Sequence, residues 1–412
     1  MSAVDPRDPM LIDLKKMIAS QSVGRRGLLR GIGAAAAVGG SAALLSACGI
    51  KGKTIADGSC KSVDNSATVK TLNWSNWPAY LDQNDAGTSY PSLNAFTKQT
   101  GITVKYSDEI NDNDAFIAKI RNQLGACEPT GRDIITITDT QASFMIKNGW
   151  VQELDPAKIP NVISNLRPEF KNQTWDPNSK YHAPWQGGFT GIAWNSKLTT
   201  EVATFKDLIT RPDLKGKVGL LTEMGDTMGF FLLQVGADPN NFTSDDYDKA
   251  LALVESTVAS GQIRRFTGND YIQDMESGNL VACLAWSGDV LSTIQAADGH
   301  PEVKFSYPEE GYGFWFDNMM VPNQSNQLSN AEAVINYYYE PEVAATVADW
   351  IGYMTPVNGA QQAMEKIDPD AAKSEAIFPT SDALAKSFFF KDLDEATYTD
   401  YKTKFDKAAS AA

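Results

Sequence analysis

The most restrictive feature of this sequence is a unit that repeats along its folded part: an apolar strand, a segment with helical periodicity, and a glycine. Strands are predicted at 69–74, 102–106 and 132–138, and helices at 92–100, 114–124 and 141–148. A glycine follows or ends each helix, at Gly101, Gly125 and Gly149, because the left-handed backbone that stops a helix suits glycine best. This alternation predicts an α/β fold with mostly parallel, open sheets flanked by helices.

A second series of units follows Pro184. Strands are predicted at 187–194, 218–221, 264–267 and 280–286, and helices at 226–235, 244–260 and just before Gly278. With 412 residues, 42% of them hydrophobic, the chain favours two lobes over one. The Gly-rich and aromatic segment 311–316 suits a crossing between the lobes, so a hinged cleft is expected.

The N-terminal residues predict export and a membrane anchor. Arg25 and Arg26 precede the weakly apolar stretch 31–47, which ends in Leu-Ser-Ala before Cys48. This is the pattern of a twin-arginine lipoprotein signal at 1–47, whose cleavage exposes Cys48 for acylation. A transmembrane helix is the alternative, but the apolar stretch is short and rich in glycine. Residues 48–68 then form a flexible tether, and the protein is extracytoplasmic, in the periplasm or on the cell surface.

Cysteine, histidine and charge exclude several functions. The four cysteines show no CxxC pair, and His182 and His300 lie far apart, so no metal site or cofactor is expected. In an oxidising compartment we expect a Cys60–Cys127 disulfide and a buried Cys283 thiol. The net charge of −15 argues against a nucleic-acid partner and is compatible with a cationic one.

Candidate ligand-binding residues come from the strand ends, because ligands of open α/β sheets bind beyond the carboxyl ends of the strands. Trp77 and Tyr80 follow the first strand, residues 111–114 follow the second, and Thr138, Asp139 and Thr140 come at the end of the third. Aromatic and acidic residues occur together at Trp286 with Asp289 and at Trp315 with Asp317. Such pairs suit an alkyl ammonium ion, since an aromatic face attracts the cation and a carboxylate accepts its hydrogen bonds.

Two structural alternatives and one functional alternative remain open at this point. Tryptophans are mostly core residues and aspartates mostly helix caps, although Trp77 with Tyr80 and the two aromatic–acid pairs, at three strand ends, together favour a site. Glu223 and Asp226, three residues apart near a helix start, suit helix capping. They also suit a carboxylate-pair hydrolase, so a secreted carbohydrate-active enzyme is the competing function.

Several motifs, in order along the chain, resemble those of the bacterial spermidine/putrescine-binding proteins of ABC importers. They are 76–80 (Asn-Trp-Pro-Ala-Tyr), 96–104, 149–155 (Gly-Trp-Val-Gln-Glu-Leu-Asp), 286–289 (Trp-Ser-Gly-Asp), 314–317 (Phe-Trp-Phe-Asp) and 351–353 (Ile-Gly-Tyr). The resemblance extends from about residue 72 to 401. It implies a two-lobed type II periplasmic-binding-protein fold, with lobe 1 at 69–188 and 317–361 and lobe 2 at 189–316 and 362–405.

The resemblance also implies a function without covalent chemistry: a monomeric receptor that captures a polyamine, such as putrescine or spermidine, and delivers it to an ABC permease. A different cationic solute is the alternative ligand. The ligand-binding residues that the resemblance implies are Trp77, Tyr80, Thr138, Trp286, Asp289, Trp315, Asp317 and Tyr353. Asp139, from the strand-end rule, and Glu223 and Asp226 complete the list of candidates. The chain departs from the family pattern at Ala79 and Thr227, where family members carry acidic residues, which leaves Glu223 or Asp226 as substitutes.

Overall fold

The computed structural model describes residue 60 and residues 62–84, 86–294 and 299–412. The predicted signal at 1–47, Cys48 and the predicted tether up to residue 59 lie outside these residues. Within them, no helix combines the length and the hydropathy that crossing a membrane requires.

Strands and helices alternate through much of the described chain. The strands are β1 (Thr71–Ser75), β2 (Thr103–Ser107), β3 (Ile134–Thr138), β4 (Ala183–Asn195), β5 (Val218–Leu221), β6 (Ile263–Thr267), β7 (Ala282–Trp286), β8 (Val303–Ser306), β9 (Tyr312–Met320) and β10 (Ser387–Phe388). The helices are α1 (Pro91–Thr100), α2 (Asn113–Ala126), α3 (Asp139–Lys147), α4 (Pro160–Asn165), α5 (Phe205–Thr210), α6 (Met224–Gln234), α7 (Ser244–Ala259), α8 (Tyr271–Ser277), α9 (Leu328–Tyr338), α10 (Pro341–Ile351), α11 (Ala360–Met364), α12 (Ser381–Ala385) and α13 (Glu395–Ala409). A π-helical turn spans Asp289–Ile294.

The strands form one mixed sheet in the order β2-β1-β3-β9-β4-β7-β5-β6. Pairing is parallel within the first half (β2, β1, β3) and within the second half (β7, β5, β6), as the sequence predicted. The two central strands run antiparallel to their neighbours, because β4 carries the chain into the second half and β9 carries it back. The predicted crossing segment 311–316 is therefore the start of a central strand.

Helix ends follow the predicted glycines with one exception. Gly101 ends α1 in the left-handed conformation, with φ of 73°. Gly125 does not end α2, which continues to Ala126, and Cys127 takes the left-handed position with φ of 56°. Cys127 is joined to Cys60 by a disulfide, the pair proposed from the sequence, and Cys283 is a buried free thiol.

The core of the first half is organised around Trp74 of β1, which is fully buried. Its ring makes edge-on contacts with those of Tyr106, Trp185 and Tyr338, and its indole N–H donates to the Thr136 hydroxyl at 2.8 Å. Aromatic pairs of this geometry hold strands and helices in one arrangement, which gives the strand ends a rigid support.

Candidate functional site

One cavity collects the strand ends of both halves of the sheet and is called the first cavity below. It contains about 470 Å³ of space between atoms, part of which is open to solvent. Ten of the eleven candidate residues line it: Trp77, Tyr80, Thr138, Glu223, Asp226, Trp286, Asp289, Trp315, Asp317 and Tyr353. Of the other three lining residues, Asn113 belongs to the candidate range 111–114 after the second predicted strand, whereas Pro78 and Asn269 were not selected as ligand contacts.

The register of the central strands places Asp317 in this cavity. Thr138, the last residue of β3, is paired with Asp317 of β9. The Thr138 hydroxyl donates to Asp317 Oδ1 at 2.8 Å. Burial raises the pKa of Asp317 to about 7, because a desolvated carboxylate favours its neutral form, and the Thr138 hydrogen bond opposes this rise.

Asp226 joins α6 to the strands that cross the centre. Its carboxylate accepts hydrogen bonds from the Thr190 hydroxyl and, at 3.2 Å, from the Trp286 indole N–H. The Trp315 indole N–H donates to the same threonine hydroxyl at 3.0 Å. Asp226 thus orients two tryptophans, and burial raises its pKa to about 6 despite these hydrogen bonds.

Asp289 has the most hydrogen-bond donors of the acids in the first cavity. Its Oδ2 accepts from the Tyr271 hydroxyl at 2.7 Å and from the Asn269 amide at 3.0 Å, and its Oδ1 accepts from the Tyr353 hydroxyl at 2.7 Å. Burial raises the pKa of Asp289, and the three donors oppose the rise. A carboxylate has about four lone-pair positions, so one on Oδ1 remains for a ligand.

Glu223 occupies the N-cap position of α6 but does not cap the helix through its side chain. Its Oε1 accepts from the backbone N–H and the side-chain amide of Asn113, at 3.2 and 3.1 Å, across the cavity. Burial, followed by the charges of Asp112 and Asp114, raises the pKa of Glu223 well above its usual value. Capping therefore does not account for this residue.

Asp139 is the one candidate that lies outside the first cavity. It lines an adjoining hollow, the second cavity, which it shares with Asn113, Thr138, Glu223 and other residues. Its Oδ1 accepts from the backbone N–H of Thr140 at 2.7 Å. Burial raises its pKa to about 8, and the charge of Asp317 adds to that rise.

A run of aromatic rings connects the acids. Tyr80 contacts Tyr353, Tyr353 contacts Trp315, and Trp315 contacts Trp286, with ring centroids 5.2, 5.6 and 6.3 Å apart. The Tyr353 ring packs directly on backbone at Gly188 and Gly288, where a Cβ atom would collide with it. Those two glycines therefore allow the ring to reach Asp289.

No lysine, arginine or histidine lines the first cavity. Four of its lining residues are acidic, and the described residues contain no cluster of His, Cys, Asp or Glu arranged to hold a metal ion. Carboxylates that are spread along an aromatic wall suit an elongated organic cation better than a single metal ion.

One buried polar atom in the first cavity, Asn269 Oδ1, has no hydrogen-bond partner in the described part of the chain. A buried polar atom without a partner costs stability, so this oxygen is suited to accept a hydrogen bond from a ligand. Tyr80 is only 4% exposed, and its hydroxyl lies near the Asp317 carboxyl.

The two departures from the family pattern lie away from these contacts. Thr227 is fully buried and donates to the Leu221 carbonyl, and it does not line the first cavity. Ala79 is exposed, with φ of 53°. Glu223 and Asp226, the predicted substitutes, both line the first cavity. Asn113 and Asn269 carried no signal of their own in the sequence, except that both lie near predicted strand ends.

Residues 92–380, well over half of the chain, match the family of bacterial extracellular solute-binding proteins. The chain belongs to this family. It is 27% identical over 338 residues to the spermidine/putrescine-binding periplasmic protein of Salmonella typhimurium, covering 81% of this chain and 91% of that protein. It is also 27% identical over 344 residues to a putrescine-binding periplasmic protein of Escherichia coli, covering 80% and 88%.

Solved structures support the same assignment. A spermidine/putrescine ABC transporter protein from Listeria monocytogenes is 25% identical, with a TM-score of 0.70 over 82% of this chain and 98% of that one. The Tp0655 lipoprotein of Treponema pallidum shares the fold, at 21% identity and a TM-score of 0.69, over 82% and 99%. The two-lobed fold and the family resemblance read from the motifs are both confirmed.

Family membership decides between the competing functions at a coarse level. Members bind solutes for transport and are not enzymes, so the protein is a solute-binding protein and the carbohydrate-active enzyme is not supported. The relatives are periplasmic, which places the protein outside the cytoplasm.

Proposed function

We propose that this protein is the substrate-binding lipoprotein of an ABC importer and that it captures a polyamine in the first cavity. The observation that carries the proposal is a cavity lined by Glu223, Asp226, Asp289 and Asp317, connected by aromatic rings and without a basic residue in its wall. An alkyl diamine matches it, because its ammonium ends need carboxylates and its methylenes need apolar faces. Relatives that bind spermidine and putrescine support this ligand class.

Capture requires that the lobes close on the ligand. We assign residues 69–188 and 317–361 to lobe 1 and residues 189–316 and 362–405 to lobe 2, with β4 and β9 passing between them. The Asn113–Glu223 hydrogen bond would then join the lobes across the cavity. Closure removes water from the amines, and a membrane permease would recognise the closed form.

Export and anchoring complete the proposal. Arg25 and Arg26 mark the twin-arginine signal at 1–47, and acylation of Cys48 would hold the monomeric receptor at the membrane through the tether 48–68. Mass determination of the exported protein tests this step: the N-terminal peptide should begin at Cys48 and carry acyl chains. A mature N terminus elsewhere would contradict it.

The ligand is tested by thermal-shift screening against polyamines, amino acids and sugars, followed by calorimetry. We expect binding of polyamines, with affinity lowered about 100-fold or more by Asp289→Asn and by Asp317→Asn, because each change removes a buried counter-charge. Asp245→Asn is the matched control, since Asp245 is an exposed acid in the first turn of α7. Unchanged affinity in both cavity variants would refute the assignment of these carboxylates.

A further inference from the structure

The C-terminal helix α13 packs through its apolar face against the half of the molecule that we assign to lobe 2. The Tyr401 ring stacks on the Tyr247 ring of α7, with ring centroids 3.7 Å apart, and the Tyr247 hydroxyl donates to the Tyr401 carbonyl at 2.8 Å. Phe405, one turn further along α13, is fully buried and contacts the ring of Phe266 in β6. These buried contacts make α13 move together with lobe 2.

The residues just before α13 link lobe 2 to lobe 1. The Lys391 backbone N–H donates to the Pro239 carbonyl at 3.0 Å, which holds this stretch on lobe 2. Its neighbour Asp392 reaches α3 of lobe 1, where its carboxylate accepts from the Lys147 ammonium at 2.8 and 3.0 Å and from the Ser143 hydroxyl at 2.9 Å. Ser143 and Lys147 are one helical turn apart, so both side chains reach the same carboxylate. The two lobes are thereby joined by charge-assisted hydrogen bonds.

The polar face of α13 makes a second contact with lobe 1, at Asp114 in the first turn of α2. The Tyr398 hydroxyl donates to the Asp114 carboxylate at 3.0 Å, and the Lys402 ammonium lies 3.6 Å from it. Tyr398 and Lys402 lie one turn apart on the same side of the helix. Burial raises the pKa of Asp114, and the charge of Lys402 opposes this rise. A buried acid of lobe 1 is thus paired with groups of lobe 2.

The charged groups of these two contacts lie outside the ligand cavities. Asp114, Lys147, Asp392 and Lys402 line neither the first cavity nor the second. Any contribution of theirs to binding must therefore act through the arrangement of the lobes. The Lys147 and Asp392 side chains are 44% and 33% exposed, and ion pairs between partly exposed groups are individually weak, so each contact makes a modest contribution.

We propose that the segment 391–402 is an interlobe clamp, which holds the lobes closed through Asp392 and through Tyr398 with Lys402. The inference rests on the proposed function and deepens it, because it names side chains that regulate closure without contacting a ligand in the first cavity. Separating the lobes breaks both contacts, so they stabilise the closed arrangement alone. Apparent affinity is proportional to the population of the binding-competent form, so the clamp raises the affinity for every ligand by the same factor.

Calorimetry and stopped-flow fluorescence with the full chain, using putrescine and spermidine, test the clamp. We expect Lys147→Met and Asp392→Asn each to weaken the binding of both ligands about threefold, mainly through faster dissociation. Lys147→Met combined with Lys402→Met removes a cation from each contact and should weaken both ligands about tenfold. Lys404→Met is the matched control, because Lys404 also lies on α13 but pairs with Asp248 and Asp400 within lobe 2. A loss that differs between the two ligands, or no loss at all, would overturn the clamp.

Small-angle scattering without added polyamine gives a readout that does not depend on the ligand. We expect the double variant to have a larger radius of gyration than wild type and the Lys404→Met control. If wild type binds neither polyamine, the proposed function is wrong, and scattering then decides about the clamp: a larger radius in the double variant supports it and an equal radius overturns it. Unfolding midpoints measured for each variant distinguish lost contacts from lost folding.

Discussion

The carboxylates at the two ends of the binding region, Asp289 in the first cavity and Asp139 in the second, differ in the number of hydrogen bonds that they accept. At one end, Asp289 accepts hydrogen bonds from three side chains, Tyr271, Tyr353 and Asn269. At the other end, Asp139 accepts one, from the backbone next to it, and burial raises its pKa to about 8. Asp226, with two side-chain donors, has a pKa raised to about 6, and Asp317, which accepts from Thr138, has one raised to about 7.

Hydrogen-bond donors influence the pKa, and therefore the charge, of a buried acid. Desolvation raises the pKa of each of these groups, and each hydrogen bond to the charged form lowers it. At Asp289 three hydrogen bonds oppose that rise in pKa, whereas at Asp139 one does. Asp139 and Asp317 become fully charged near neutral pH only when a cation replaces the lost solvation, so binding at their end is linked to proton release.

Removing a donor from the Asp289 end should have the largest effect. Tyr353→Phe keeps the ring between Gly188 and Gly288 but deletes the hydroxyl that donates to Asp289 Oδ1. A hydrogen bond to a charged group contributes about 1.5–3 kcal/mol, so we expect polyamine affinity at pH 7 to fall about 30-fold in calorimetry. Tyr312→Phe, which removes a donor to the Ala383 carbonyl, is the control. A loss of less than threefold would mean that the two ends do not differ in the way described.

A change of pH should act mainly at the Asp317 and Asp139 end. The folded-state pKa of Asp317 is about 7, against 3.8 for the free side chain, so the group ionises as pH rises through 7. Putrescine stays doubly charged over this range, since alkyl amines titrate near pH 10. We expect its affinity to rise about tenfold between pH 6 and pH 8, and calorimetry in buffers of different ionisation enthalpy should show proton release on binding.

The raised pKa of Asp317 also makes the free energy of unfolding depend on pH. Asp317 has a raised folded-state pKa, so its neutral form stabilises the ligand-free protein below about pH 4 and this contribution is lost as pH rises through 7. Asp317→Asn should flatten the fall in the free energy of unfolding between about pH 4 and 7, as measured by denaturant titration. An equally steep fall in that variant would place the titrating group elsewhere.

The smallest expected effect concerns Asn269, which donates to Asp289 and has a buried Oδ1 without a partner in the described part of the chain. Asn269→Leu removes one of three donors and one acceptor for the ligand, so affinity should fall about threefold to fivefold. Asn269→Asp adds a charge next to Asp289 and should strengthen binding above pH 7 while destabilising the ligand-free protein. If neither variant changes affinity, Asn269 serves only the packing of this end.

Much of the secondary structure could be read from the sequence because its determinants are local. Strand β5 was predicted with its observed bounds, and α7 ends one residue before its prediction. Helix α2 was predicted to stop near Gly125 and instead continues to Ala126, because Cys127, joined to Cys60, takes the left-handed position two residues after that glycine. The antiparallel centre of the sheet was also missed, since periodicity reports burial and not strand direction.

The candidate site was predicted in its residue types and less completely in its partners. Trp286, Asp289, Trp315 and Asp317 were recognised because aromatic and acidic residues adjoin at strand ends. Asn113 was predicted only as part of the range 111–114, and Asn269 was not selected, because an asparagine after a strand is most often a turn residue. Only their bonds to Glu223 and Asp289 give them a role in the site.

The sequence by itself determined the alternation of strands and helices and the class of chemistry at the strand ends. Each of these depends on neighbours within a few residues. The tertiary structure alone decided which acids share a cavity, which donors meet them and hence how their pKa values differ. Thr138 and Asp317 are 179 residues apart, and Tyr353 and Asp289 are 64 apart. Desolvation and hydrogen bonding between such partners exist only after the chain has packed, so no local pattern can encode them.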